Sequence, residues 1–253
     1  MATEAPKTAV SSEALSGTAC WSCGDQRAAQ FCGACGKVQP PMPVDYFAFF
    51  GLPRKLDLDM ARLERDFYDL SRKLHPDLYA RADSREREWS LEQSSHLNDA
   101  YRVLRDPIRR TEYLLKLEGV ELEEQSKIAS EEARAKGELK QQVIPPAMLE
   151  EIFELNMQLE EARMNKKMGE SDPELTKELE QQKAKLEHQF DELMSELKGY
   201  WHEWDKLVGA SAEHAIPEMK CAVVRDKMVD LLNRRNYIRN LVRTVEEVLE
   251  TGS

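Results

Sequence analysis

The sequence predicts an all-α protein, and three observations support that prediction. First, 33% of the 253 residues are charged and 41% are hydrophobic, a balance typical of long solvated helices. Second, apolar residues recur at steps of three, four or seven through much of the second half of the chain, which is the helical period. Third, outside a cysteine-rich stretch no segment alternates apolar and polar residues as a strand does.

The first 17 residues predict a disordered tail. They are rich in Ala, Ser and Thr, and they contain Glu4 and Glu13 but no Arg. A mitochondrial presequence is rich in Arg and poor in acids, so the segment has the composition of neither a presequence nor a secretory signal. No apolar run approaches the roughly 18 residues that a membrane span needs. The net charge of -11 argues against broad binding to nucleic acid or acidic membranes.

Residues 18–40 predict a small metal-binding domain, because they repeat a Cys-x-x-Cys-Gly pattern at Cys20/Cys23 and at Cys32/Cys35. Two residues between paired thiolates let both reach one ion from a single turn, and two such turns give a closed tetrahedral site for one structural zinc. Disulfides are disfavoured without a secretory signal, whereas thiolate ligation alone leaves an iron or iron–sulfur centre open. The segment is too short for a core of its own, so we expect chelation to unfold it alone.

Residues 44–117 predict a helical hairpin. Its first long helix spans the cationic stretch up to Leu74, with Asp57 or Asp59 as the N-cap, and Pro76 stops it near His75. After the loop a second helix follows, which Asp106-Pro107 breaks. The predicted facing surfaces are Leu63, Phe67, Leu70 and Leu74 before the loop and Leu91, Leu97, Tyr101 and Leu104 after it.

The loop His75-Pro76-Asp77 is the strongest functional signal in the chain. By itself the tripeptide is no more than a helix stop and a turn. Set between two packed helices, however, it presents three side chains for contact with a partner, and the carboxylate of Asp77 suits bidentate binding by an Arg.

Helix, His-Pro-Asp loop and antiparallel helix together resemble a J-domain. Residues 45–52, Asp-Tyr-Phe-Ala-Phe-Phe-Gly-Leu, are similar to the opening of the HscB family, as are Asn98-Asp99-Ala100-Tyr101 and residues 110–115. The Cys-rich head is similar to the zinc-bearing eukaryotic branch of that family. The resemblance implies a co-chaperone for iron–sulfur cluster assembly that stimulates the ATPase of a mitochondrial-type seventy-kilodalton heat-shock chaperone. The residues expected to bind that chaperone are His75, Pro76, Asp77, Arg72, Lys73 and Arg65.

The rest of the chain predicts a linker, residues 118–145, and a three-helix bundle, residues 146–250. Pro145-Pro146 should open the first bundle helix, which ends near Met168. Asp172 should cap the second helix, with Pro173 at its first position. Gly209 to Ile216 reads as a loop, and Pro217 should open the last helix, which reaches Leu249. Cys221 lies among the apolar residues of that helix and is expected to be a buried small hydrophobe.

The family's bundle is its oligomerisation and scaffold-binding domain, so the resemblance implies that this bundle binds the iron–sulfur cluster scaffold protein. The expected scaffold-binding residues share one face of the first bundle helix, with an aromatic contact on the last helix: Leu149, Phe153, Glu154, Met157, Glu161 and Tyr237. Because Ile152, Leu155 and Leu159 supply a separate stripe for the core, the first stripe is left for an interface. A Leu/Phe/Met stripe that simply belongs to the core is the alternative.

The sequence favours a binding protein over an enzyme. It contains no Gly-x-x-x-x-Gly-Lys phosphate loop, and thiolates that share a metal are not free nucleophiles for thiol chemistry. The alternative function is a general J-domain chaperone for unfolded clients, although that class usually carries a Gly-rich linker and four zinc-knuckle repeats. The resemblance implies a mitochondrial location, while the composition of the first residues favours the cytoplasm.

Overall fold

The computed structural model describes residues 19–26, 30–120, 149–170, 172–211 and 218–250, and it leaves out the side chains of residues 149–151, 210, 211 and 218. Within those residues the protein is helical with no strand, which confirms the predicted fold class. The chain divides into two compact units, Met1–Leu114 and Leu115–Ser253. The predicted tail, most of the linker and the helix start at Pro145-Pro146 lie outside the described residues, so the predicted domain limits stay predictions. None of the described helices is long and apolar enough to cross a membrane.

The head of the first unit consists of two turns with the same hydrogen bonding. The N–H groups of Gly24 and Gly36 donate to the carbonyls of Cys20 and Cys32 respectively, at 2.9 Å in both turns. Both glycines have positive φ, 78° and 71°, a conformation that other residues adopt at a cost. A single β-bridge between Phe31 and Val38 closes the second turn.

The first unit contains α1 (Tyr46–Phe49), α2 (Met60–Leu74) and α3 (Ser84–Arg105), and α2 and α3 form the hairpin. A further helix, α4 (Pro107–Leu117), begins in this unit and ends in the second. Asp59, one of the two predicted N-cap candidates, caps α2 by accepting a hydrogen bond from the N–H of Arg62 at 3.0 Å. The ring of Phe67 on α2 stacks on Tyr101 of α3 at 4.1 Å, and the buried Leu74 ends α2. The prediction that Leu91 belongs to the packed face of α3 was wrong, because its side chain is 64% exposed.

The second unit contains α5 (Leu149–Met168), α6 (Pro173–Ser211) and α7 (Glu218–Glu250). Asp172 caps α6 by accepting from the N–H groups of Glu174 and Leu175, both at 3.0 Å, and this confirms the predicted start. The helices α6 and α7 run antiparallel, with Lys183 paired to Glu246 at 2.8 Å. Apolar side chains from all three helices form the core: Ile152, Leu155, Leu159, Leu179, Leu197, Trp204, Met228, Leu232, Ile238 and Val245.

Two details of this unit differ from the sequence predictions. Residues 209–211 are helical and belong to α6, whereas a loop was predicted there. Cys221 is half-buried instead of buried, because it lies in the first turn of α7, next to the exposed Met219 and Val223. The predicted helix start at Pro217 lies outside the described residues.

Candidate functional site

The two turns of the head bring four thiols together. The Sγ atoms of Cys20, Cys23, Cys32 and Cys35 all lie within 4.8 Å of one another. Across the two turns, Cys20 and Cys35 are 3.7 Å apart and Cys23 and Cys32 are 3.5 Å apart. A tetrahedral metal with metal–sulfur bonds of about 2.3 Å places its ligands about 3.8 Å apart, so these residues fit a four-thiolate metal site.

The thiols of the head also influence one another's pKa values. Burial raises the pKa of Cys20, but the N–H groups of Cys23 and Ser22 and the nearby thiols outweigh it and lower the pKa to about 6. The N–H of Asp25 lowers the pKa of Cys23, whereas the thiols of Cys32 and its neighbours raise it, to about 12. Thiolates this close together repel one another, and a cation among them would allow all four to ionise.

The loop predicted to bind a chaperone lies at the tip of the hairpin. Helix α2 stops at Leu74, and Pro76–Tyr79 form a short 3-10 helix immediately after His75. The side chains of His75 and Asp77 are 57% and 89% exposed. Nδ1 of His75 accepts a hydrogen bond from the N–H of Asp77 at 3.3 Å, which holds the two residues in one turn.

Hydrogen bonds from side-chain hydroxyls to backbone carbonyls at the end of α2 hold the start of the loop. The hydroxyls of Ser90 and Ser94 on α3 donate to the carbonyl of Leu74 at 2.7 and 2.8 Å. The hydroxyl of Tyr79 donates to the carbonyl of Lys73 at 3.1 Å. These bonds satisfy carbonyls that the end of a helix leaves without a partner, and they fix where the loop begins.

The cations predicted to accompany the loop lie on α2, with Arg72 and Lys73 in its last turn and Arg65 nearer its start. Arg65, Arg72 and Lys73 are all exposed. Arg72 pairs with Asp69 at 2.5 Å, while neither Arg65 nor Lys73 forms an ion pair with another described residue. All three cations therefore lie on α2, the helix that leads directly into the loop.

Four of the six residues predicted to bind the scaffold protein lie on the side of α5 that faces away from the core. Phe153 and Met157 are 66% and 60% exposed, and Glu154 and Glu161 are exposed beside them. The side chain of Leu149 lies outside the described residues. Tyr237 is on a different helix, α7, where burial raises its pKa.

The sequence did not indicate how the head is held. Lys37 pairs with Glu86 at 2.8 Å, and Gln93 Nε2 donates to the carbonyl of Gln39 at 2.7 Å. The rings of Trp21 and Trp89 meet edge to face at 5.7 Å. Polar residues at buried helix positions give no hydrophobic periodicity, so no pattern in the sequence marked these contacts.

A helical hairpin with an exposed His-Pro-Asp loop defines a J-domain protein, and its head carries four cysteines that could hold a metal ion. The chain is 36% identical over 148 residues to the iron-sulfur cluster co-chaperone protein HscB homolog of Arabidopsis thaliana, which covers 58% of this chain and 53% of that protein. It is 32% identical over 156 residues to the co-chaperone protein HscB homolog of Bordetella pertussis, which covers 62% of this chain and 82% of that protein. The chain therefore belongs to the HscB co-chaperone family.

The comparison of structures supports the same fold. The crystal structure of human co-chaperone protein HscB superposes with a TM-score of 0.53 at 23% identity, over 91% of this chain and 98% of that one. No family model matches the chain. The match spans about half the length of the Arabidopsis relative, 53% of it.

Proposed function

We propose that this protein is a co-chaperone in iron–sulfur cluster biogenesis. It binds the scaffold protein that carries the cluster, and it stimulates the ATPase of a seventy-kilodalton heat-shock chaperone, which promotes cluster transfer. The relatives support the pathway, because the Arabidopsis protein is named an iron-sulfur cluster co-chaperone. The chain itself catalyses no reaction in this proposal. The family points to the mitochondrion as its location.

One observation carries the chaperone-binding half of the proposal. The loop His75-Pro76-Asp77 contributes nothing to the core, since all three residues are exposed, yet the hydroxyls of Ser90 and Ser94 fix its start through Leu74. Rigid support beneath an exposed polar loop is how proteins present a binding group. Asp77 is the member best suited to ion pairing, because its carboxylate is 89% exposed.

The cations on α2 support the same contact. Arg65 and Lys73 have no ion pair among the described residues, so their charges are available to an acidic partner. Arg72 is partly neutralised by Asp69. Exposed charges of this kind raise the rate of association and fix orientation more than they add affinity.

The outer face of α5 supports the scaffold-binding half. Phe153 and Met157 are large apolar side chains that the core of the bundle does not use. Acidic residues, Glu154 and Glu161, lie next to them. An apolar centre with a charged rim is the usual composition of a protein interface.

The four cysteines of the head are the basis for proposing one structural zinc ion. Cys20, Cys23, Cys32 and Cys35 would hold it, and the donor set of four thiolates is the one that structural zinc prefers. The ion supplies folding energy to a segment that has almost no hydrophobic core. Its two buried cysteines, Cys20 and Cys32, form a small apolar cluster of their own.

The experiment that tests the proposal measures the ATPase rate of a purified mitochondrial-type chaperone with this protein, with the scaffold protein, and with both. We expect stimulation by this protein alone and further stimulation when the scaffold is added. An unfolded client protein in place of the scaffold separates the proposal from a general chaperone. Equal stimulation by client and scaffold would favour the general chaperone, and no stimulation at all would contradict the co-chaperone function.

A further inference from the structure

The inner face of α3 is buried although it is polar. Glu86, Ser90 and Gln93 are 4%, 0% and 3% exposed, and they follow one another at steps of four and three along one side of the helix. Buried polar groups persist where hydrogen bonds satisfy them. Here the partners come from two different parts of the first unit, the head and the end of α2.

The head provides the first set of partners. The carboxylate of Glu86 binds Nζ of Lys37 through both oxygens, at 2.8 and 2.9 Å. Nε2 of Gln93 donates to the carbonyl of Gln39 at 2.7 Å. Gln39 itself is 3% exposed, and its Nε2 donates to Sγ of Cys20 at 3.4 Å. Two consecutive hydrogen bonds therefore join a cysteine of the metal site to α3.

The end of α2 provides the second set. Ser90 and Ser94, one helical turn apart, both donate to the carbonyl of Leu74, which immediately precedes His75. Ser94 follows Gln93 in the chain, and Ser90 lies one turn before them. The same short stretch of α3 thus binds both the head and the start of the His-Pro-Asp loop.

We propose that metal occupancy of the four-cysteine site holds the His75-Pro76-Asp77 loop in position, with Gln39 and Gln93 as the positioning residues. The role of the loop in chaperone binding rests on the proposed function. The coupling itself concerns only the first unit and can be measured without any chaperone.

The physical reason is that the metal fixes the head. With four thiolates on one ion, Cys20 has a fixed place, so Gln39 can hold its two hydrogen bonds to Sγ and to the carbonyl of Lys37. Without the ion the head loses that order, and Gln93 and Glu86 lose their partners. Chelation should therefore affect α3 as well as residues 18–40, whereas the sequence alone predicted an effect on residues 18–40 only. Buried polar groups without partners favour local opening of α3, which releases the carbonyl of Leu74.

The test is hydrogen exchange of backbone amides in the full chain, loaded with zinc and stripped of zinc by a chelator under reducing conditions. In the wild type, we expect zinc removal to speed exchange in residues 77–79 and 84–97 by about tenfold, the size of coupling between residues in contact. In Gln93→Leu, exchange should already be fast with zinc bound, and zinc removal should add little. If Gln93 only stabilised the fold, the substitution would raise the exchange rate by the same factor with zinc bound and with zinc removed.

Two further variants keep the result decisive. Lys37→Met breaks the ion pair with Glu86 from the more exposed side, and it should show the same loss of zinc dependence if Gln93→Leu does not fold. Arg87→Met is the matched control, since Arg87 is exposed on α3, and it should behave as the wild type. The proposal is overturned if zinc removal leaves the loop unchanged or if variant and wild type respond equally. The ATPase assay is separate, so its failure would count against the proposed function and not against the coupling.

Discussion

Met157 and Leu159 are two residues apart and lie on opposite faces of α5, where their side chains are 60% and 2% exposed. Two residues turn a helix by about 200°. The stripe with Leu159 therefore packs in the bundle, while the stripe with Met157 is left outside. This division separates the stability of the bundle from the proposed binding of the scaffold protein.

Replacing the outer residues should weaken binding and leave stability unchanged. In the variant Phe153→Ala with Met157→Ala, we expect scaffold affinity to fall more than tenfold, because truncating an anchoring residue costs about 2 kcal/mol or more. The melting temperature should stay at the wild-type value, since both side chains are exposed. Isothermal titration with the scaffold protein and calorimetric melting measure the two quantities.

The matched controls use the same kind of truncation elsewhere. Leu159→Ala should lower the free energy of unfolding by about 2–5 kcal/mol, because it opens a cavity in the core. Met219→Ala removes an exposed Met of α7, 78% exposed, and should change neither quantity. If Phe153→Ala with Met157→Ala melted early and bound in proportion to its folded fraction, the stripe would belong to the core.

The sequence predicted the parts of the fold that follow from local rules. Pro76 stops α2 at Leu74, Asp172 caps α6, and Asp59, one of the two predicted candidates, caps α2. Proline and short acidic side chains act on residues within one turn, so their effects can be read from the local sequence. The exposed stripe of α5 was also predictable, since Ile152, Leu155 and Leu159 already supplied a separate apolar face.

The contacts between head and hairpin could not be predicted in this way. Glu86 and Gln93 occupy buried positions of α3, but their partners Lys37 and Gln39 are 49 and 54 residues away in the chain. Polar residues that are satisfied by distant partners read as a solvated face in the sequence. The same cause explains the error at Leu91, whose apolar side chain was assigned to the face that these polar residues fill.

The metal content of the purified chain should be one zinc ion per molecule. Because four thiolates complete a tetrahedral site, Cys20→Ser should abolish tight binding. Cys221→Ser is the matched control, as Cys221 lies in the other unit, and it should retain the metal. Native mass spectrometry gives the stoichiometry and elemental analysis gives the identity. Iron in place of zinc would contradict the proposed cofactor while leaving the site intact.

The stability of the first unit should fall in mild acid because of His96. Burial lowers the pKa of this side chain, against the charges of Asp99 and Glu92, which raise it. Its ring contacts Tyr46 and Phe49 at 5.1 and 4.8 Å. The unfolded chain takes up a proton near the ordinary pKa of about 6.5, before the folded protein does, so the free energy of unfolding falls as the pH drops through that value.

The variant His96→Gln removes this titration, so the free energy of unfolding should depend less on pH. Urea unfolding at a pH of about 7.5 and of about 5.5, on either side of the ordinary pKa, measures the difference. His188→Gln is the matched control, because His188 is 74% exposed in the second unit. A slope as steep in His96→Gln as in the wild type would assign the pH dependence to other groups.

The variant His75→Gln should abolish stimulation of the chaperone ATPase without changing the fold. His75 is 57% exposed, and Nδ1 accepts one hydrogen bond, from the N–H of Asp77, so the loss of stability should stay within about 0.5 kcal/mol, as for most surface substitutions. The effect on the partner should be large, because the imidazole ring and its bond to Asp77 set the shape of the loop that the chaperone would contact.

Zinc content and melting temperature serve as checks that the first unit is intact, and His188→Gln is the control for replacing an exposed histidine. Stimulation at the wild-type level by folded His75→Gln, at matched concentrations, would remove the loop from the proposed chaperone contact and leave the cations of α2 as its remaining candidates.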